Sequence, residues 1–76
     1  MAKRLQNITI AEFQSFLRHH GLSYIRTTNG LEVWTRADLT RPVVFQSHID
    51  PIPIFIVKNN LRTIGLTTQD LRDFFS

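Results

Sequence analysis

The chain has 76 residues, 42% hydrophobic and 20% charged, with nine Lys and Arg against six Asp and Glu. That length allows one small domain, burying about 60% of its unfolded surface, and the apolar content excludes a disordered chain. The lack of cysteine excludes disulfides and thiolate metal sites, and a net charge of +3 gives only a mild preference for polyanions.

Met1 to Gln6 carries charges with no apolar stretch behind them, so no secretory leader is expected. No apolar run approaches the ~18 residues of a membrane span. Both points suit a cytoplasmic protein. The basic residues Lys3, Arg4, Arg18, Arg26, Arg36, Arg41, Lys58, Arg62 and Arg72 are spread along the chain. They read either as a solvated surface or as an RNA footprint.

Thr9-Ile10-Ala11-Glu12 is a capping box. The Thr9 hydroxyl can accept from the Glu12 amide while the Glu12 carboxylate reaches back. Ile8 and Phe13 have the spacing of a hydrophobic staple. Ile10, Phe13, Phe16 and Leu17 form an apolar stripe, and Gly21 supplies a left-handed stop. His19 and His20 in the last turn are expected to favour the helix dipole.

Leu22 to Thr27 and Leu31 to Arg36 read as strands, joined through Asn29-Gly30, whose residues tolerate positive φ. Ala37 to Arg41 is a polar loop. Pro42 to Gln46 is a third strand with the proline at its start, and Ser47 to Ile52 is a connection. Pro53 suits the first turn of a second helix, with Ile54, Val57, Leu61 and Ile64 on its buried face and Gly65 at its end. Thr67 caps a last short helix, which Leu71, Phe74 and Phe75 pin to the core. Phe55, Ile56 and Phe75 are an apolar excess that, if unburied, suits a protein interface.

The order is α-β-β-β-α with a short helix appended. This predicts an α+β fold: a three-stranded antiparallel sheet with helices on one face and the other face open. It is the order of a double-stranded-RNA-binding domain, which reads RNA by shape and backbone contacts.

Over Ile8 to Phe74 the chain resembles the HicA family of small toxin ribonucleases. The pieces are a helix ending at Gly21, the aromatic strand Ser23-Tyr24-Ile25-Arg26, the turn, and Glu32-Val33-Trp34. Then come a strand with Pro42-Val43-Val44, Ile52-Pro53 opening a helix, and Ile64-Gly65-Leu66-Thr67 closing it. The resemblance implies one HicA-like domain over 1–76 with a double-stranded-RNA-binding-like fold. It implies the toxin half of a type II toxin–antitoxin pair, an endonuclease that cleaves mRNA without a metal or other cofactor. The implied partners are mRNA and a HicB-type antitoxin that covers the active face.

The family's catalytic His lies at the start of the second strand, after a Gly-containing turn. That position here is Leu31, and Asn29 stands where the turn often has a glycine. RNA cleavage by its own 2′-hydroxyl needs one group to take that proton and one to protonate the leaving oxygen. Histidine does either near neutral pH. Leucine does neither, and losing such a group lowers rates by about 10²–10⁴. The chain as written is therefore expected to be nearly inactive, either by an engineered or selected replacement or as a natural non-cutting relative. If Trp34 faces the helices, Leu31 lies on the open face. If Leu31 and Val33 face the core, the leucine is structural.

His48 is a second candidate for RNA contact or catalysis, against a plain hydrogen-bonded loop histidine. The candidate RNA-binding set is Arg26, the turn residues Asn29 and Gly30, Arg36, Arg41, and Lys58 with Arg62 four apart on the second helix. Singly, each charge reads as ordinary surface. Glu32 and Asp38 read as solvated charges rather than a carboxylate pair. Trp34 reads as core, against a base-stacking role. No His spacing suggests a metal site. A non-catalytic RNA-binding module and a small protein-interaction domain are the alternatives to the nuclease.

Overall fold

The computed structural model describes residues 7–76. The basic pair Lys3 and Arg4, and the expectation that no leader precedes the fold, lie outside the described residues. The elements are α1 (Ile10–His19), β1 (Ser23–Thr28), β2 (Leu31–Thr35), β3 (Val43–Gln46), α2 (Ile54–Ile64) and α3 (Thr68–Phe75). The strands form one antiparallel sheet in the order β1-β2-β3. The α+β class expected from the sequence is present. Strand ends differ by a residue or so, and Pro53 caps α2 from just outside its first turn.

The capping box forms: Glu12 N–H donates to Thr9 Oγ1 at 3.1 Å, and Thr9 N–H to Glu12 Oε1 at 2.9 Å. Ile8 and Phe13, the two residues of the staple, are fully buried. Thr67 and Asp70 repeat the box at α3. Asn29 and Gly30 both have positive φ, 53° and 75°, which matches the twist of the β1–β2 hairpin.

One side of the sheet meets the helices. Trp34, Val43 and Phe45 point there and pack with Phe13, Phe16 and Leu17 of α1 and with Val57 and Leu61 of α2. Leu71 of α3 completes this core, and Phe74 sets its ring edge-on to Phe16 at 5.4 Å. Of the apolar excess only Phe55 is well exposed; Ile56 and Phe75 pack against the core. No helix among the described residues is long and apolar enough to cross a membrane.

The C-terminus of α1 departs from expectation. His20 packs against Phe16, with ring centroids 4.6 Å apart and the planes tilted by 59°. Burial holds its pKa below the ordinary histidine range; His19 and Arg36 act the same way, and Asp70 opposes them. Besides Arg18 and His19 in its last turn, this helix end holds the charge of Arg36, whose Nη1 donates to the His20 carbonyl at 2.5 Å. His20 protonates more readily in the unfolded chain than in the folded one. Acidification through the ordinary histidine range should therefore weaken the fold. Urea titrations at pH 8 and pH 5.5 should show this loss, and His20→Asn should reduce it.

A side-chain amide closes one edge of the sheet. Asn60 is 6% exposed and lies on the face of α2 turned to β3. Its Nδ2 donates to the Val44 carbonyl at 3.0 Å, and its Oδ1 accepts from the Val44 N–H at 3.4 Å. The amide thus stands in for a fourth strand at this position and blunts the edge. Asn60→Ala should cost about 1–3 kcal/mol, because both backbone groups lose their partner. Urea denaturation of the variant checks this value. The opposite edge, β1, has all six residues exposed.

Candidate nucleic-acid interface

The register of β2 decides where Leu31 points. Glu32 and Trp34 are 6% and 1% exposed and turn toward the helices, so Leu31 and Val33 take the open face. Leu31 is 39% exposed and lies between Thr28 of β1 and Gln46 of β3. An apolar side chain stands uncovered at the first residue after the turn.

Arg26 reaches the same face through an irregularity. Tyr24 pairs with Trp34, yet Arg26 pairs with Val33, so Ile25 is an extra residue in β1. Plain alternation would put Arg26 on the side of Tyr24. The bulge moves it across the sheet to the side of Val33 and Leu31. Tyr24 stays on the helix side, its hydroxyl 2.8 Å from Thr27 Oγ1.

His48 comes to the hairpin end from the β3–α2 connection. That connection is held at both ends. Ser47 N–H donates to the Gly30 carbonyl at 2.8 Å, and its hydroxyl donates to the same oxygen at 3.2 Å. Further on, the Ile10 N–H donates to Asp50 Oδ1 at 3.1 Å, and Ile52 N–H to the Ile8 carbonyl at 2.8 Å. The His48 ring therefore lies over the turn: a methyl group on Gly30 would sit 3.4 Å from Nδ1. Glycine at residue 30 serves both the positive φ and this close approach.

Asn29, Gly30, Leu31 and His48 thus gather at the hairpin end of the sheet, and Arg26 lies two pairs away, opposite Val33. Arg41, Lys58 and Arg62 do not join them. Arg41 precedes β3 at the opposite end, and Lys58 and Arg62 lie on the exposed side of α2. Among the described residues Arg26, Arg41, Lys58 and Arg62 have no hydrogen bond or ion pair within the chain. Arg36 is different. Its Nε and Nη2 donate to Asp38 at 2.6 and 3.1 Å, and its Nη1 holds the end of α1. Those donors hold the Asp38 carboxyl below its usual range. Arg36 is a structural residue on the helix side, not a member of the open face.

Glu32 is not a solvated charge. Its Oε1 accepts from Trp34 Nε1 at 2.7 Å and from Gln14 Nε2 at 2.6 Å. Arg18 lies 5.2 Å from the Trp34 ring centroid, over its face. Glu32 and Asp38 serve separate contacts and form no pair. Sequence reasoning missed the pairing of Glu32 with Trp34 and Gln14. The available signal was Glu32 at the same strand parity as a core tryptophan whose N–H needs an acceptor.

No family model matches the chain, and no curated protein or solved structure matches it.

Proposed function

We propose that the chain is a HicA-type toxin of a type II toxin–antitoxin pair with a double-stranded-RNA-binding-like fold. On this reading it is a metal-independent mRNA endonuclease scaffold that is nearly inactive because Leu31 stands at the position of the acid–base histidine. One observation carries the reading: the Leu31 side chain is uncovered at the hairpin end of the open face, next to the turn over which His48 lies. A core role for Leu31 would have required it beneath the helices. Arg26, without an internal partner, lies on the same face and supplies a cation for a phosphate.

The chemistry follows from these positions. An imidazole at residue 31 would reach an RNA strand laid across the open face and take the 2′-hydroxyl proton. On this reading the His48 imidazole is the group that protonates the leaving 5′-oxygen. With leucine present, the first of these steps has no agent. The proposed partners are mRNA and a HicB-type antitoxin that shields this face, in the cytoplasm. The test is cleavage of a labelled mRNA in EDTA by the Leu31→His protein, beside the chain as written.

The second reading is a non-catalytic RNA-binding module, favoured by unpaired arginines combined with the missing imidazole. It predicts salt-dependent RNA binding by both proteins and cleavage by neither. A protein-interaction domain predicts no RNA binding at all.

A further inference from the structure

A cleft opens between the β2–β3 loop and α2, at the end of the sheet away from Leu31. It holds about 460 Å³ and is lined by Thr40, Arg41, Asn59, Arg62 and Thr63. Asn59, Arg62 and Thr63 follow a spacing of three and four, so they share one face of α2. Arg41 approaches from the loop. Two arginines, one from the loop and one from α2, therefore line one recess.

The chemistry of the lining points to an anion. All five side chains carry hydrogen-bond donors, four of them without an acceptor among the described residues, and no carboxylate is among them. The Thr63 hydroxyl already donates to the Asn59 carbonyl at 3.3 Å, so the free donors are those of Thr40, Arg41, Asn59 and Arg62. Neither arginine has an internal partner among the described residues, whereas Arg36 is bound to Asp38 and to the His20 carbonyl. Planar guanidinium forks suit phosphate oxygens, which they bind in pairs.

We infer that the Arg41–Arg62 cleft is a second phosphate-binding site, one that takes the backbone of a structured RNA whose other segment lies at the hairpin end. This rests on the proposed RNA-binding function. From Leu31 to Thr35 alone, β2 runs roughly 13 Å at ~3.3 Å per residue, and Arg41 lies beyond the end of that strand. A mononucleotide cannot bridge the two sites; an RNA that does so passes from the open face around the β3 edge, where α2 lies. The cleft acts in affinity and register, not in bond cleavage. Its contacts carry charge rather than base identity.

The experiment measures binding of the full chain to a 20-base-pair RNA duplex and to a five-nucleotide single strand, by fluorescence anisotropy over a salt series. The Arg41→Ala/Arg62→Ala protein should bind the duplex about tenfold more weakly. Its log–log salt slope should be shallower by about two, one for each lost phosphate contact. Binding of the five-nucleotide strand should change much less. Arg72→Ala, a surface arginine outside the cleft, should leave all values unchanged, and circular dichroism should report the same fold for each protein.

Wild-type duplex affinity and slope in the double variant, with Arg26→Ala still weakening binding, would overturn the cleft while leaving the RNA function standing. No duplex binding by the unaltered chain at low salt would remove both. Stronger binding to polyglutamate than to duplex, lost in the double variant, would assign the cleft to an acidic protein and overturn the inference.

Discussion

Leu31→His should raise RNA cleavage by about 10²–10⁴-fold over the chain as written, the range that one positioned acid–base group contributes. The substituted residue begins β2 and projects from the open face, so the new imidazole faces solvent rather than core. The change costs little in stability: Leu31 is 39% exposed, and substitutions at such sites usually stay within about 0.5 kcal/mol. Activity is expected to persist in EDTA. His48→Ala in the Leu31→His background then separates two roles. If His48 supplies the leaving-group proton, cleavage falls by about 10²-fold or more while RNA affinity holds. If it only positions the turn, cleavage and affinity fall together. A time course of labelled mRNA, with growth arrest on induction as the cellular counterpart, gives the answer. Equal inertness of the Leu31→His and unaltered proteins would argue for the non-catalytic module.

The largest effect on stability belongs to Trp34→Ala, expected to cost about 3–5 kcal/mol. Trp34 is 1% exposed, touches Tyr24 edge-on at 5.8 Å and carries Arg18 over its face. Its indole N–H also satisfies Glu32, a carboxylate that is 6% exposed. A domain of this size holds roughly 4–11 kcal/mol in total, so the variant should be largely unfolded at 37 °C. Trp34→Phe separates the parts of the loss. It keeps a ring in the core but leaves Glu32 with Gln14 as its remaining donor, at a cost of about 1–3 kcal/mol. Urea denaturation followed by far-ultraviolet circular dichroism measures both without relying on the tryptophan. Equal losses in the two variants would mean that the hydrogen bond, not the ring, holds the strand.

The features legible in the sequence are those set by neighbours a few residues apart. The Thr9–Glu12 and Thr67 caps, the Asn29–Gly30 turn and the Gly65 stop are local chemistry, and each forms where it was expected. The face taken by Leu31 was legible only as a condition on Trp34, and the burial of Trp34 resolves it. What escaped the sequence depends on distant partners. Asn60 looks like any polar helix residue until β3 lies beside it, 16 positions away. Asp50 fixes the start of α1 from 40 positions away. Arg36 looks like an RNA contact until the α1 carbonyl and Asp38 converge on it. Arg26 is a subtler case, because an extra residue in β1 reverses its face and strict alternation cannot foresee that. The sequence listed the candidate residues together, whereas the fold separates Arg41 and Arg62 from the hairpin end and ties Arg36 to Asp38 and the end of α1.

The most direct test of the central claim is an NMR titration of the ¹⁵N-labelled chain, unaltered, with a structured RNA hairpin. Amide shifts should concentrate at Arg26, Gly30, Leu31, Gln46, Ser47 and His48, with a second group at Arg41 and Arg62. Shifts confined to the α1–α3 side, around Arg18, Asp70 and Phe74, would contradict an RNA-binding face at the hairpin end, as would a spectrum that RNA leaves unchanged.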